Sequence, residues 1–304
     1  MKAGRTAEDP IAPSPTKRFH LSGPSLSFDP RVDAVRRDIA DIALAGRLFA
    51  PHYARPRHHG CVATSAMLRA RPDHAAEAVS QLLLGEGFAV LDIAGGWAWG
   101  YCLHDHYVGY VPADALGEPV AATHIVSAAR ALVFVAPDLK SPVVATWPMG
   151  ARFAGVEQDG FIACDAGYLH RRHVMSVDER EPDAVAVAER LIGAPYLWGG
   201  RGDGGADCSG LIQTALGRAG IAAPRDTDQQ LDAGLGAEIR PDAPLRRGDL
   251  IFFPAHVGMM ADGERVIHAN AYTMDVTVEP LAELVARLTP DHEQPIIARR
   301  RLCP

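Results

Sequence analysis

The stretch Pro195-Tyr196-Leu197-Trp198-Gly199-Gly200, followed after a short spacer by Asp207-Cys208-Ser209-Gly210, decides how the rest of the chain is read. Asp207 is a good N-cap, because a carboxylate there accepts from the free N–H groups of a first helical turn. Leu211, Ile212, Ala215, Leu216 and Ala219 then recur at helical spacing as one apolar stripe, and Gly220 ends the helix. Cys208 therefore falls in the first turn, where unpaired N–H groups and the macrodipole favour negative charge. That position is expected to lower the thiol pKa, and the same N–H groups can hold an oxyanion on an attacked carbonyl. The ordinary role of an isolated cysteine is that of a small buried hydrophobe, and Cys61, Cys102, Cys164 and Cys303 are read that way. Five cysteines without a CxxC pair make neither a disulfide framework nor a zinc ribbon.

A thiol nucleophile needs an imidazole base and a polar group to orient it. The strand-like run His256-Val257-Gly258-Met259-Met260 follows Gly248-Asp249-Leu250-Ile251-Phe252-Phe253, and Val266-Ile267-His268-Ala269-Asn270 comes next. A hairpin turn at Ala261-Asp262-Gly263-Glu264 pairs the last two antiparallel, so His256 and His268 come within reach of each other. Strand alternation puts His268 and Asn270 on one side, which leaves Asn270 as the alternative orienting group. Zinc is the rival use of Cys208, His256 and His268, but their spacing matches neither HExxH nor CxxC.

Working outward, Val185, Ala188 and Ile192 after Glu181-Pro182 predict a helix stopped by Gly193-Ala194-Pro195. Helices followed by an antiparallel sheet give an α+β layout for residues 178–304. Upstream, short β-rich runs separated by Gly, Asp and His fill residues 59–177. Leu84-Gly85-Glu86-Gly87-Phe88-Ala89 is echoed by Met149-Gly150-Ala151-Arg152-Phe153-Ala154, and Trp97-Ala98-Trp99 by Phe161-Ile162-Ala163. The echo predicts two small β-barrels, at 59–120 and 121–177. Residues 1–58 read as a Pro- and Ser-rich leader to about residue 28, then an amphipathic helix. Asp29-Pro30 would start that helix, and Val32, Val35, Ile39, Ile42, Gly46 and Phe49 would pack on a neighbouring domain.

The chain has 304 residues, with 30 Lys plus Arg against 37 Asp plus Glu and a net charge of −7. No basic stripe suits a nucleic acid, and no apolar run is long enough to span a bilayer. No apolar segment follows Lys2 or Arg5, so a secretory signal is not expected, and a cytoplasmic chain with reduced thiols is. Neither a metal nor an organic cofactor is expected.

At Tyr196-x-Trp198-Gly199-Gly200, Asp207-Cys208-Ser209-Gly210, Gly248-Asp249-Leu250 and His256-Val257-Gly258, the chain resembles the NlpC/P60 family of cysteine peptidases. Pro224-Arg225-Asp226-Thr227-Asp228-Gln229-Gln230 also looks like a segment of that family. The resemblance covers roughly residues 180–304 and implies a papain-like α+β domain with Cys208 as nucleophile, His256 as base and His268 as orienting residue. The upstream β-units look like bacterial SH3-type domains. Two such domains before this peptidase resemble the γ-D-glutamyl-L-diamino-acid endopeptidases of murein recycling, whose substrates carry a free N-terminal L-alanine. The resemblance implies substrate-binding roles for Asp207, Ser209, Tyr196 and Tyr107, and murein-derived peptides as the partner. The alternatives are another papain-like amidase or acyltransferase, and an inert module that binds wall peptides.

Overall fold

The computed structural model describes residues 27–202 and 204–302. Most of the leader read at residues 1–28, and Cys303, lie outside them. The fold is α+β, and its chain closes on three hydrophobic cores in sequence order.

The first unit is a seven-stranded antiparallel sheet curled around Leu68, Leu82, Phe88, Ala98, Cys102 and Val111. The second is a pair of small sheets, of three and five strands, wrapped around Val126, Val133, Trp147, Phe153, Ile162 and Leu169. The sequence echo has a physical basis. Gly85 and Gly150 are both turn residues in the left-handed region, with φ +74 and +90. The two echoed segments pack on each other: Arg152 N–H donates to Leu84 O at 2.8 Å. A Cβ on Gly85 would lie 2.1 Å from Arg152 O, so glycine is required at that junction.

The third unit places helix α1 (Ala184–Glu189) and helix α2 (Cys208–Arg218) on one face of a six-stranded antiparallel sheet. Its strands run in the order Ala237–Glu238, Ala298–Arg301, Leu250–Phe253, His256–Met260, Arg265–Asn270, Asp275–Pro280. Period-two alternation assigns the faces. Leu250 and Phe252 join Leu211, Ile212 and Leu216 of α2 in one core, while Ile251 and Phe253 pack on the other side with Leu284. Leu284 belongs to helix α4 (Leu281–Leu288), and helix α3 (Thr227–Asp232) lies between α2 and the sheet in sequence. Each fully buried leucine or isoleucine of α2 contributes about 1.5–3 kcal/mol. This is what fixes the helix that carries Cys208.

The expected amphipathic helix near residues 29–49 does not form. The chain makes a two-residue parallel pairing of Ala40–Asp41 with Tyr53–Ala54 and a single 3₁₀ turn at Ile42–Leu44. Ala34 is buried with Ala89, Leu91, Trp99 and Tyr101 on the outside of the first barrel, and Ile39 packs against that cluster. Phe49, a member of the predicted stripe, is 91% exposed. The barrel surface accepts an extended segment anchored by Arg36, which pairs with Asp92 and lies over Trp99. Gly46, at φ +81, turns the chain where a helix would continue. Tertiary burial has overridden local periodicity.

The first barrel is locked to the third unit through buried polar contacts. Arg201 pairs with Glu86 at 2.8 Å, and its backbone N–H donates to Gln81 Oε1 at 3.0 Å. Removing one partner of a buried pair strands the other charge, at about 3–5 kcal/mol. Glu86→Ala is therefore expected to lower unfolding stability by about that amount. Urea denaturation checks this, and an unchanged midpoint would refute it.

Candidate active site

Asp207 ends its approach loop in extended backbone and caps α2, accepting from Gly210 N–H at 2.7 Å. Its carboxylate also accepts from Gly199 N–H at 2.8 Å and Ser209 Oγ at 3.3 Å. Arg225, fully buried, completes the set with a bidentate pair at 2.9 and 2.6 Å. The same guanidinium donates to Ser209 Oγ and to Ser80 Oγ of the first barrel. Five donors fill the acceptor capacity of one carboxylate. Asp207 is thus occupied in holding the helix start.

Cys208 is 6% exposed and lines a cleft of about 460 Å³ together with Asp207, Ser209, Thr227, Asp226 and Tyr107. The thiol sits 3.7 Å from Thr227 Oγ1, and the N–H groups of Ser209 and Val257 point at it. Val257 follows His256, so the base strand abuts the nucleophile. Ala255, just before, adopts φ +54, a costly turn for a non-glycine residue, and His256 opens its strand there. The thiol pKa departs from the expectation drawn from the helix start. Desolvation pushes it up, the Asp207 charge adds to this, and the surrounding hydrogen bonds oppose without reversing it.

His256 Nε2 lies 2.8 Å from His268 Nδ1, so the two rings are linked and His256 Nδ1 takes no part in that link. Burial, reinforced by His268 and Arg287, takes His256 down to about 3. The resting pair is accordingly a neutral thiol and a neutral imidazole. Asn270, the alternative orienting residue, approaches His268 Nε2 only to 3.4 Å. Its side-chain oxygen caps the following turn at Tyr272 and Thr273. Ile267 and Ala269 face α2, so His268 points to the opposite side, where Glu279 accepts from its Nε2 at 2.8 Å. Sequence reasoning missed Glu279.

Tyr196 packs against the core that contains Cys208. Burial, with the nearby Cys208 and Asp207, pushes its hydroxyl up to about 12. Tyr107, from the first barrel, reaches across and donates to Asp226 Oδ2 at 2.8 Å. Asp226 is desolvated enough that its pKa is raised, and Arg31 contacts it at 2.9 Å. Arg31 also pairs with Asp228 at 2.8 Å, and its carbonyl accepts from Val108 N–H. The segment around residue 31 thus lies between barrel and cleft. Glu77 forms the opposite wall, accepting from Trp198 Nε1 at 3.0 Å. Asp226, Asp228 and Glu77, none of them singled out from the sequence, make the cleft acidic. The described residues bring one metal-type group together, Cys102, His104 and Asp105, and Asp105 there already accepts from Tyr107 N–H and Gln213 Nε2. No helix among the described residues is long and apolar enough to cross a membrane.

Comparison with known proteins gives two family matches. The NlpC/P60 family matches residues 193–287, and the bacterial dipeptidyl-peptidase SH3 domain matches residues 68–116. The chain is 27% identical over 252 residues to dipeptidyl-peptidase 6 of Lysinibacillus sphaericus, covering 73% of this chain and 91% of that one. It is 24% identical to a γ-D-glutamyl-L-lysine dipeptidyl-peptidase of Bacillus cereus, covering 74% and 75%. A crystal structure of an NlpC/P60 family protein from Bacillus cereus superposes with a TM-score of 0.68 at 20% identity, over 82% of this chain and all of that one. At that identity the superposition speaks to the fold.

The His256 environment has a pH consequence. The folded state keeps the ring neutral to about pH 3, whereas an unfolded histidine protonates near 6.5. The unfolded state therefore binds more protons between those values, and stability falls as pH drops through that window, by up to about 1.4 kcal/mol per unit for one group. His256→Gln is expected to flatten that slope in denaturation curves between pH 6 and pH 4. An identical slope would show that His256 is not the group responsible.

Proposed function

Because the chain carries an NlpC/P60 peptidase domain behind a bacterial SH3 domain, we propose that it is a cysteine endopeptidase that cuts the bond between γ-D-glutamate and the diamino acid in murein peptides bearing a free N-terminal L-alanine. The observation that carries this is a thiol at a helix start, with the backbone of Val257 beside it next to the linked His256–His268 pair, lining a cleft walled by Asp226, Asp228 and Glu77. The name of the Bacillus cereus relative describes the same class of bond.

In this reading Cys208 Sγ attacks the γ-glutamyl carbonyl as His256 Nδ1 takes the thiol proton. A neutral thiol beside a neutral base suits such coupled transfer, since no thiolate needs to persist in a desolvated site. The Cys208 N–H, which has no partner within the first turn of α2, stabilises the oxyanion. The C–N bond then breaks, and His256 returns the proton to the departing amine. Water, activated by His256, hydrolyses the thioester and restores the thiol.

Glu77, which accepts only from Trp198 Nε1, is the carboxylate with most room for the alanine ammonium, while Asp226 is held by Tyr107 and Arg31 and Ser209 stays with Asp207 and Arg225. A carboxylate in such a cleft strongly favours a charged amine over an amide. Intact wall, where that alanine is amide-linked, is thereby rejected, and released peptides are accepted. This supports a role in murein recycling within the cytoplasm.

Two measurements test the proposal. N-acetylation of L-Ala-γ-D-Glu-meso-diaminopimelate is expected to lower kcat/KM by about 100-fold or more, the scale set by stranding one buried charge. Equal rates on both peptides would reject amine recognition. Cys208→Ala is expected to abolish hydrolysis, and turnover retained by that variant would remove the nucleophile from the scheme.

A further inference from the structure

The base strand does not end its hydrogen-bonded chain at the second histidine. His268 Nε2 lies 2.8 Å from Glu279 Oε1. Glu279 in turn holds Arg287 of α4 with both oxygens, Oε2 at 3.0 Å from Nη1 and Oε1 bonded to Nη2. Arg287 is itself seated over the Tyr272 ring at 4.2 Å. Burial alone would raise the Glu279 pKa, but the Arg287 hydrogen bonds and His268 hold it below the usual carboxylate range.

We infer that Glu279 is a positioning residue, which acts through His268 to fix the tautomer of His256 so that its Nδ1 carries a lone pair. This rests on the cysteine-peptidase reading above. The argument is one of direction. An ionised carboxylate only accepts, so His268 Nε2 bears the hydrogen. A neutral ring has one hydrogen, so His268 Nδ1 is an acceptor. It must then receive the hydrogen of His256 Nε2, at 2.8 Å. His256 Nδ1 is then the ring nitrogen that bears no hydrogen, as a base requires. The opposite order would place a hydrogen on Nδ1, and the ring could not take the thiol proton.

A competitor for control of His268 is present. Asn270 Nδ2 lies 3.4 Å from the same His268 Nε2, and a donor there asks for the opposite tautomer. The orientation of that amide is set by its own turn, because Asn270 Oδ1 accepts from Tyr272 N–H and Thr273 N–H at 3.0 and 2.8 Å. Glu279, closer and charged, prevails. Without it, Asn270 has the remaining say.

Glu279→Ala is therefore expected to move the His256 hydrogen from Nε2 toward Nδ1, read from ¹⁵N chemical shifts of labelled histidines. It is also expected to reduce kcat on the free tripeptide by about 100-fold, the lower range for loss of a general base. Adding Asn270→Asp in that background supplies an acceptor to His268 Nε2 and is expected to restore at least about tenfold of kcat with the original ¹⁵N pattern. Loss of packing or of the Arg287 pair would not be repaired by that second change. Unaltered ¹⁵N shifts in Glu279→Ala would overturn the inference, as would a double variant no more active than the single. If the unmodified protein cleaves no murein peptide, the peptidase reading fails by itself, and the ¹⁵N pattern still decides what Glu279 does.

Discussion

The buried pair between Asp207 and Arg225 is the constraint on which the rest depends. It joins the approach loop through Gly199, the first turn of α2 through Gly210 and Ser209, and the first barrel through Ser80. A charge pair this deep contributes little net stability, since desolvation offsets most of the attraction. What it supplies is geometry. Each group satisfies the other, and together they leave one arrangement in which Cys208 begins its helix beside the base strand.

Around that point the site works by exclusion of water as much as by charge. Desolvation pushes the thiol up and the imidazole down, so both partners wait uncharged. The charges that remain on the cleft wall are carboxylates, two of them paired with Arg31. The division is spatial: the uncharged histidine pair lies at the sheet end, and the charged side chains lie at the junction with the first barrel. A barrel that would otherwise be a separate module thereby contributes Tyr107 and Glu77 to the same cavity.

Much of this was legible in the sequence, and where legibility stopped is instructive. Helix α2, with its Asp207 cap, and the strands carrying His256 and His268 are marked by local periodicity and turn residues, and they fall close to where those signals put them. The segment from Asp29 to Phe49 has an equally regular stripe and is not helical, because the outer face of the barrel buries it extended. The direction of the Cys208 shift was also misjudged. A helix start is a local feature, whereas desolvation is a property of everything packed around it. Arg225 lay within a recognised motif, yet its partnership with Asp207 spans α2 and carries no spacing signal. Glu279 sits in a strand whose alternation makes it look like a solvated residue; only the register against the His268 strand brings the two together.

The reach of Arg31 into Asp226 and Asp228 has a bearing on what counts as the working unit. A protein trimmed to the two segments that match known families would lack that guanidinium. Asp226 and Asp228 would lose the cation they share, and the helix bearing Thr227 would lose a tether on its solvent side. The stretch that looks most like a dispensable approach to the folded domains is, by its contacts, a brace behind the helix that borders the cleft.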